Sequence, residues 1–326
     1  MKLSVIIPTR NRAAFLEKVL DSITRQTIHP SRFEVIVVDN GSSDGTPKVF
    51  SRYSQVLPNS TYYFDDRPGL HVGRHIGFRK AKGEILVYCD DDIEAFPGWL
   101  SGIEQSFADD QVGLVGGKAL PKFEAEPPDW FDRLWEKTPQ GRYSEYFSLL
   151  DFGDSICEVE PYFVFGCNFS IRKNILEDLK GFHPDGMPGE LVLWRGDGES
   201  AVAKAIQERG YKIVYNPDAS VFHAVTKNRM TAGYLYSRTF AAGVSGSYAE
   251  IRRNGPKQGS GFTGSIEHTV RTFLAYISCL PSKHFDVMYA IKKGYIDGRH
   301  HHAAAVRKDP RLLSWITKNH YLEENP

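Results

Sequence analysis

The sequence predicts an α/β fold in which helices flank a mostly parallel central sheet, followed by a helical extension at the C-terminal end. Three observations support this prediction. Short apolar runs typical of buried strands alternate with segments of helical periodicity between residues 3 and 117. Each of the first strands runs into polar residues, as strands do at the ligand-binding edge of an open sheet. The composition, with 41% hydrophobic and 25% charged residues, is that of an ordinary globular protein.

The alternation of strands and helices can be followed along the chain. The segment 14–24 is predicted to be a helix because Phe15, Leu16, Val19, Leu20 and Ile23 share one helical face. Crossovers between parallel strands should be right-handed. The expected elements are strand 3–7, helix 14–24, strand 33–39, helix 46–53, strand 62–64, helix 72–81, strand 84–89, a helix ending at 107, strand 112–117, helix 200–209 and strand 211–215.

Three consecutive carboxylates, Asp90, Asp91 and Asp92, follow the apolar strand 84–89. Adjacent like charges repel, so each carboxyl group tends to stay protonated unless a cation neutralises it. A hard divalent ion with oxygen ligands, shared with a substrate phosphate, would stabilise all three. On spacing alone, a solvated acidic turn before the next helix explains the same residues equally well.

The segment 121–146 lacks periodicity and is rich in proline and aromatic residues. It is expected to be an insertion over the cleft that contacts a second substrate. A flap that only packs against the core is an equally good explanation.

The net charge is zero, but the charges are unevenly distributed. From Val225 onward there are 15 Lys and Arg against 7 Asp and Glu, a net of +8, which leaves −8 for the remainder. The basic end suggests an anionic surface or substrate, although two oppositely charged domains packed together would explain it as well. Its amphipathic helices could pack on the rest of the chain, form a homo-oligomer or lie on a membrane. The glycine-rich stretch 255–264 is expected to be a mobile loop, and the histidines at 300–302 a solvated tract.

The N-terminus lacks the apolar core and cleavage site of a signal peptide, and no run is long enough to span a membrane. Cys89, Cys157, Cys167 and Cys279 have neither metal nor redox spacing. We therefore expect reduced thiols and a cytoplasmic protein, with peripheral membrane contact through the basic C-terminal region.

Three runs of residues together resemble the signature of glycosyltransferase family 2. They are residues 4–12 (SVIIPTRNR), 37–46 (VVDNGSSDGT) and 83–92 (GEILVYCDDD). The likeness covers about residues 3–225 and implies the GT-A fold. It implies a catalytic domain over residues 1–225, with a nucleotide-sugar-binding half (1–118) and an acceptor-binding half (119–225). Residues 226–326 would form the mainly helical extension.

The resemblance assigns roles to the residues at the strand ends. Asp39 would accept a hydrogen bond from the base, Asp90 would hold the ribose, and Asp92 would bind the metal, with His223 as a second metal ligand. Arg74 would approach the base or the diphosphate. The full set implied for the donor nucleotide is Pro8, Thr9, Arg10, Arg12, Asp39, Asp66, Arg74, Asp90 and Asp91. Without the resemblance, Asp39 reads as a turn residue, Arg74 as a helix-surface arginine and His223 as a structural histidine.

The general base is the residue that the resemblance fixes with least precision. The family usually has Gly-Glu-Asp before the helix 200–209, and this chain has Gly196-Asp197-Gly198-Glu199. By that match Asp197 is the base, and Glu199 is the base if the alignment is displaced by two residues. Simple capping of the helix by Asp197 is the alternative.

The implied activity is inverting transfer of a sugar from a nucleoside-diphosphate sugar, with UDP-sugars favoured, to an acceptor hydroxyl. The acceptor would be a glycan or glycolipid of bacterial surface-polysaccharide or glycoconjugate synthesis, and Mn²⁺ or Mg²⁺ the metal. No nucleic-acid partner is expected. A sugar nucleotidyltransferase is the first rival, although no glycine-rich, Lys- or Arg-bearing phosphate loop follows the first strand. A non-catalytic nucleotide-sugar-binding protein is the second.

Overall fold

A computed structural model of the chain describes residues 1–256 and 261–321, with the backbone alone for residues 261–263. The strands are β1 (Leu3–Thr9), β2 (Phe33–Asp39), β3 (Ser60–Phe64), β4 (Ile85–Cys89), β5 (Ile93–Ala95), β6 (Val112–Gly116), β7 (Ala119–Phe123), β8 (Glu136–Lys137), β9 (Arg142–Ser144), β10 (Leu149–Asp151), β11 (Cys157–Glu158), β12 (Asn168–Arg172), β13 (Lys212–Tyr215) and β14 (Val221–Val225). The α-helices are α1 (Ala13–Thr24), α2 (Thr46–Tyr53), α3 (Leu70–Lys80), α4 (Trp99–Ser106), α5 (Lys173–Asp178), α6 (Gly198–Glu208), α7 (Ala232–Asn254), α8 (Gly261–Cys279), α9 (Phe285–Lys308) and α10 (Pro310–Thr317).

The central sheet has eight strands in the order β11-β13-β6-β12-β4-β1-β2-β3. The strands β4, β1, β2 and β3 are parallel, whereas β12 runs antiparallel to both of its neighbours. Every residue of β1, β2 and β4 is buried, as in strands covered by helices on both faces. The predicted α/β fold with a mostly parallel sheet is confirmed.

Two apolar layers cover the two faces of this sheet. One contains Leu16 and Val19 of α1 with Trp99 of α4. The other contains Ile76 of α3 and Ile206 of α6. The sheet edge at the carboxyl ends of β1, β2 and β4 lies between the layers, so it is free to carry polar groups.

A second, six-stranded sheet has the order β5-β14-β7-β10-β9-β8. The segment 121–146, which was expected to be irregular, contributes residues 121–123, 136–137 and 142–144 to this sheet. Strands of two or three residues are too short to show a periodicity in the sequence. Antiparallel pairing of β14 with β5 sets His223 opposite Ile93, one residue after Asp92. The second sheet therefore brings His223 to the acidic strand end.

The C-terminal helical extension is present as predicted, and its helices α7 and α9 approach each other closely. Built on the backbone of Gly298, a Cβ atom would lie 2.0 Å from the carbonyl oxygen of Phe240, and one on Gly294 would lie 2.2 Å from Thr239 Oγ1. The histidines at 300–302 belong to α9; the expectation of a solvated tract is wrong for His302, which is fully buried, whereas His301 is exposed. Of the glycine-rich stretch 255–264, residues 257–260 lie outside the described residues, and Gly261 begins α8.

The four cysteines are free thiols, as expected. Within residues 1–256 and 261–321, no helix combines the length and apolarity that crossing a bilayer requires.

Candidate active site

The polar residues that follow β1 and β4 line one cavity of ≈ 350 Å³. It lies at the carboxyl-end edge of the sheet because β4 and β1 are neighbours there. Six predicted donor-binding residues line this donor cavity: Pro8, Thr9, Arg10, Arg12, Asp90 and Asp91.

The loops after β1 and β2 are fastened to each other beside the donor cavity. Asn11, which has a positive φ of 54°, accepts a hydrogen bond from the Ser43 amide at 2.7 Å. Its own amide donates to Ser42 Oγ at 2.8 Å. The amide of Ala13, at the start of α1, donates to Asp44 of the loop after β2 at 3.0 Å. These bonds hold the cavity wall without using the predicted ligands.

Asp39 and Asp66 lie near the donor cavity but are not among its lining residues. Asp39 is fully buried and accepts hydrogen bonds from the Ser42 amide, at 2.7 Å, and from the Tyr62 hydroxyl. Asp66 is exposed and packs its backbone against Gly41. Their contact with a nucleotide base stays a prediction.

Arginines neutralise two of the three consecutive carboxylates. Arg12 contacts Asp91 at 3.2 Å and donates to Asp92 Oδ2 at 2.7 Å, and Arg229 donates to the same Asp92 oxygen at 2.7 Å. Asp91 also accepts from Thr9 Oγ1 at 2.7 Å. Burial raises the pKa of Asp91 to about 7, although Arg12 opposes the rise. Asp91 is thus held internally, and the alternative of a solvated acidic turn is wrong because Asp91 and Asp92 are buried.

Ligand atoms of Asp90, Asp92 and His223 lie within 4.8 Å of one another. His223 Nδ1 is 2.8 Å from the Phe147 carbonyl oxygen, an arrangement in which Nδ1–H donates and Nε2 points away from that carbonyl. Nε2 is 3.2 Å from Asp92 Oδ1, which is buried and has no hydrogen-bond partner among the described residues. A buried carboxylate oxygen facing an imidazole nitrogen is a set that fits Mn²⁺ or a similar divalent ion.

Arg74 lies on α3 with only 2% of its surface exposed, so its interpretation as a helix-surface arginine is wrong. It forms ion pairs with Asp185 at 2.6 Å and with Glu199 at 3.0 Å. The next residue, His75, accepts a hydrogen bond from the Phe182 amide at 2.9 Å, and this contact makes His75 a packing residue. Asp185 and Arg229 were not found by sequence reasoning, because no short motif marks either one.

Glu199 and Asp197 stand at the start of α6 in different surroundings. Glu199 lines a central cavity together with Arg74, Asp90 and His223. Burial alone would raise the pKa of Glu199, but the charge of Arg74 and the hydrogen bonds it receives lower that pKa to about 2. Asp197 does not line the central cavity; its Oδ1 is 2.5 Å from His183 Nδ1, and its side chain makes no capping hydrogen bond to α6.

The central cavity connects the donor cavity with a third cavity of ≈ 770 Å³. It shares Leu70, Asp90 and Gly186 with the donor cavity. It shares Asp185, Arg195, Glu199 and Arg238 with the third cavity. Aromatic residues Tyr143, Tyr146, Tyr162 and Phe165 also line the third cavity, so the end of the segment 121–146 does reach the cleft.

Comparison with known proteins gives a consistent result. The profile described as glycosyl transferase family 2 matches residues 4–180. Glycosyltransferase AglE of Haloferax volcanii is 28% identical over 221 residues, which cover 68% of this chain and 66% of that protein. The Campylobacter jejuni GalNAc(5)-diNAcBac-PP-undecaprenol β-1,3-glucosyltransferase is 29% identical over 195 residues, covering 59% and 58%. Among solved structures, a Pyrobaculum calidifontis mannosyltransferase in complex with GDP-Man and Mn²⁺ aligns with a TM-score of 0.60 at 23% identity, covering 94% of this chain and 86% of that one.

Proposed function

The chain belongs to glycosyl transferase family 2 and is a glycosyltransferase, and we propose that it moves a sugar, with inversion, from a nucleoside-diphosphate sugar to an acceptor hydroxyl. A UDP-sugar is the favoured donor. The reaction would be a single displacement, in which the acceptor oxygen bonds to the anomeric carbon as the diphosphate leaves from the opposite face.

One observation carries this proposal: Asp90 lines both the donor cavity and the central cavity, and its carboxylate lies within 4.8 Å of ligand atoms of Asp92 and His223, with which it can hold a cation. The ion-paired carboxylate of Glu199 lines the same central cavity. A donor in the ≈ 350 Å³ cavity would place its diphosphate at Asp90 and Asp92, and the third cavity remains for the acceptor. When bound by Asp92 and His223, a divalent ion supplies neutralisation of the charge on the leaving diphosphate. Arg12, Arg74 and Arg229 lie close enough to add positive charge around the same group.

We propose Glu199, rather than Asp197, as the general base. Glu199 faces the central cavity, where the anomeric carbon and the acceptor hydroxyl would meet, and its lowered pKa keeps it ionised at neutral pH. Its neighbour Asp185, which pairs with the same Arg74, has a pKa raised to about 7 by burial. Asp197 is engaged with His183 and lines only the third cavity.

The third cavity supports a glycan or glycolipid acceptor that carries negative charge. Its tyrosine and phenylalanine rings suit sugar faces or a lipid chain. Arg195 donates to Ser245 Oγ at 3.0 Å, and Arg238 approaches the Glu145 carbonyl oxygen at 3.4 Å, yet neither has an ion-pair partner among residues 1–256 and 261–321. The Campylobacter relative is named for an acceptor on undecaprenol diphosphate. We therefore propose a phosphate-bearing acceptor of cytoplasmic polysaccharide or glycoconjugate assembly.

The decisive experiment compares Glu199→Gln with Asp197→Asn. Removing a general base costs roughly a hundredfold to ten-thousandfold in rate, so Glu199→Gln should lose transfer while Mn²⁺-dependent binding of UDP, measured by calorimetry, stays intact. Asp197→Asn should keep transfer within about tenfold of the unchanged enzyme, because its carboxylate does not face the reacting centre. Near-normal transfer by Glu199→Gln, with loss in Asp197→Asn, would restore Asp197 as the base.

The reaction products separate this function from its rivals. Incubation with nucleotide sugars and Mn²⁺ should release nucleoside diphosphate. Release of pyrophosphate would indicate a sugar nucleotidyltransferase, and tight binding without any turnover would indicate a binding protein.

A further inference from the structure

Helix α8 presents its large apolar side chains to the outside of the protein. Between 46% and 62% of each of these residues is exposed. The outer face of α8 consists of Ile266, Val270, Phe273, Leu274 and Ile277, continued by Leu280 just after the helix. Spacings of three and four residues place them on one side of the helix, so they form a continuous stripe rather than scattered positions.

The opposite face of α8 packs against α9 through small and polar residues and one aromatic ring, that of Tyr276, whose centroid lies 5.3 Å from that of Phe285. Ala275 and Cys279 are buried there. His268 Nε2 is 2.9 Å from Asp297 Oδ1 of α9. The branched aliphatic side chains and Phe273 of α8 therefore lie on its outer face, whereas a surface helix usually buries such residues, because their burial removes apolar area from water.

Exposed apolar residues elsewhere in the described chain are isolated. Val56 and Ile156, for example, are 62% and 57% exposed, and they lie far apart in the sequence on different elements. Single residues of this kind are normal, whereas a contiguous apolar face on a soluble chain marks an interaction surface.

We propose that the outer face of α8 lies on an anionic membrane surface, with its apolar side chains at the boundary between headgroups and acyl chains. A helix with one apolar face lies in the plane of a membrane. The charge of this region favours an anionic membrane as the binding partner, because residues 225–326 carry a net charge of +8. Two exposed basic side chains border the stripe: Arg271 on the helix, which pairs with Glu267, and Lys283 beyond it, which pairs with Asp129.

The same charge disfavours a second copy of the chain on this face. A symmetric dimer through α8 would place two copies of the same basic region against each other. Like charges across such an interface repel, whereas anionic lipids attract the basic region.

The position of α8 connects this surface to the third cavity. Ala275 of α8 and Ile291 and Lys292 of α9 line that cavity. Docking of α8 would bring the cavity to the membrane surface, where a lipid-linked acceptor resides. This consequence rests on the proposed function, whereas the docking itself does not.

Vesicle co-sedimentation of the full chain tests the proposal. The probes are vesicles of phosphatidylglycerol and phosphatidylcholine in equal parts, and vesicles of phosphatidylcholine alone. The unchanged protein should bind the anionic vesicles more tightly, and added salt should weaken that preference. The double variant Phe273→Ser/Ile277→Ser should partition about tenfold more weakly into the anionic vesicles, because it loses two half-exposed apolar side chains from the contact.

The matched control is the double variant Val56→Ser/Ile156→Ser, which removes similar exposed apolar area elsewhere and should bind as the unchanged protein does. Equal binding by the α8 variant and the control would overturn the proposal. It would also be overturned if light scattering without lipid showed a dimer that Phe273→Ser/Ile277→Ser dissociates. Thermal unfolding checks that all variants are folded.

Turnover separates this proposal from the proposed function. Release of nucleoside diphosphate without vesicles should be the same in the α8 variant and the unchanged protein. Absence of release from every preparation would contradict the proposed function, while vesicle binding would still decide the role of α8.

Discussion

In most proteins apolar side chains are buried and charged side chains are exposed. The sheet edge and the C-terminal helices depart from this distribution in opposite ways. At the sheet edge, Asp91 and Asp92 are buried, and arginines from distant parts of the chain neutralise them. On α8, large apolar side chains are exposed, and the inward face carries Ala275, Cys279 and the polar His268. Each departure costs free energy in the isolated protein. Under the two proposals above, both costs are recovered on binding: of a cation and a diphosphate at the first surface, and of a membrane at the second.

The largest predicted effect is a loss of turnover on substitution of Asp92, and its absence would contradict the comparison. In Asp92→Asn, Oδ1 no longer belongs to a carboxylate that can bind a cation beside His223. Because a bound metal contributes several kcal/mol of charge stabilisation, turnover should fall about a thousandfold, and EDTA should cause a similar fall in the unchanged enzyme. Initial rates of nucleoside-diphosphate release and Mn²⁺-dependent UDP binding by calorimetry measure both.

Asp65→Asn is the control for this change. Asp65 also follows a strand and pairs with Arg67, but it lies away from the cation site. Its turnover should stay close to that of the unchanged enzyme. If Asp92→Asn still bound UDP in a Mn²⁺-dependent way, the buried acids would have a structural role alone.

The second prediction concerns the contact between α7 and α9, which holds the C-terminal helices together. The contact between α7 and α9 depends on backbone approach at Gly298, where an added Cβ would lie 2.0 Å from the Phe240 carbonyl oxygen. Gly298→Ala should lower the free energy of unfolding by about 3 kcal/mol, because backbone cannot yield as a flexible side chain does. Urea unfolding followed by circular dichroism measures it.

Gly233→Ala is the matched control within α7. A Cβ at Gly233 meets no atom within 4 Å, and alanine is the better helix former, so stability should be unchanged or about 0.5–1 kcal/mol higher. Equal effects of the two substitutions would mean that the close helix contact contributes nothing specific.

The sequence predicts features that depend on neighbouring residues. The apolar runs of β1, β2 and β4 and the polar residues at their ends are local signals, and so the sheet and the set at Asp90, Asp91 and Asp92 could be predicted from them. The partners of that set could not be predicted, because Arg229 is 137 residues from Asp92. The strands that carry His223 and Tyr143 into place are short or paired across long separations.

The direction in which a side chain points is the second property that the sequence pattern does not determine. Asp197 and Glu199 are two residues apart, yet one faces His183 and the other faces Arg74 and the central cavity. The amphipathic character of α8 was predicted. Periodicity shows that a helix has an apolar face, but it does not show which surface that face contacts. Packing on the rest of the chain was one of the expected outcomes for this helix, and the packing occurs through its other face.

The smallest predicted effect is the pH dependence of stability that a buried histidine causes in the C-terminal helices, and it extends the comparison to a polar group buried there. His302 is fully buried between α9 and α7, with Nδ1 2.9 Å from Ser247 Oγ, and burial lowers the pKa of His302 to about 4. The unfolded chain, with an ordinary histidine pKa near 6.5, binds the proton first, so stability is fully present above pH 6.5 and is lost as the pH falls toward 4. Between pH 7 and pH 5 this histidine should account for about 1–2 kcal/mol of the lost unfolding free energy. His302→Gln, which does not titrate, should therefore show a shallower decline in urea-unfolding stability over that interval. An unchanged decline would mean that no proton is excluded from this helix contact.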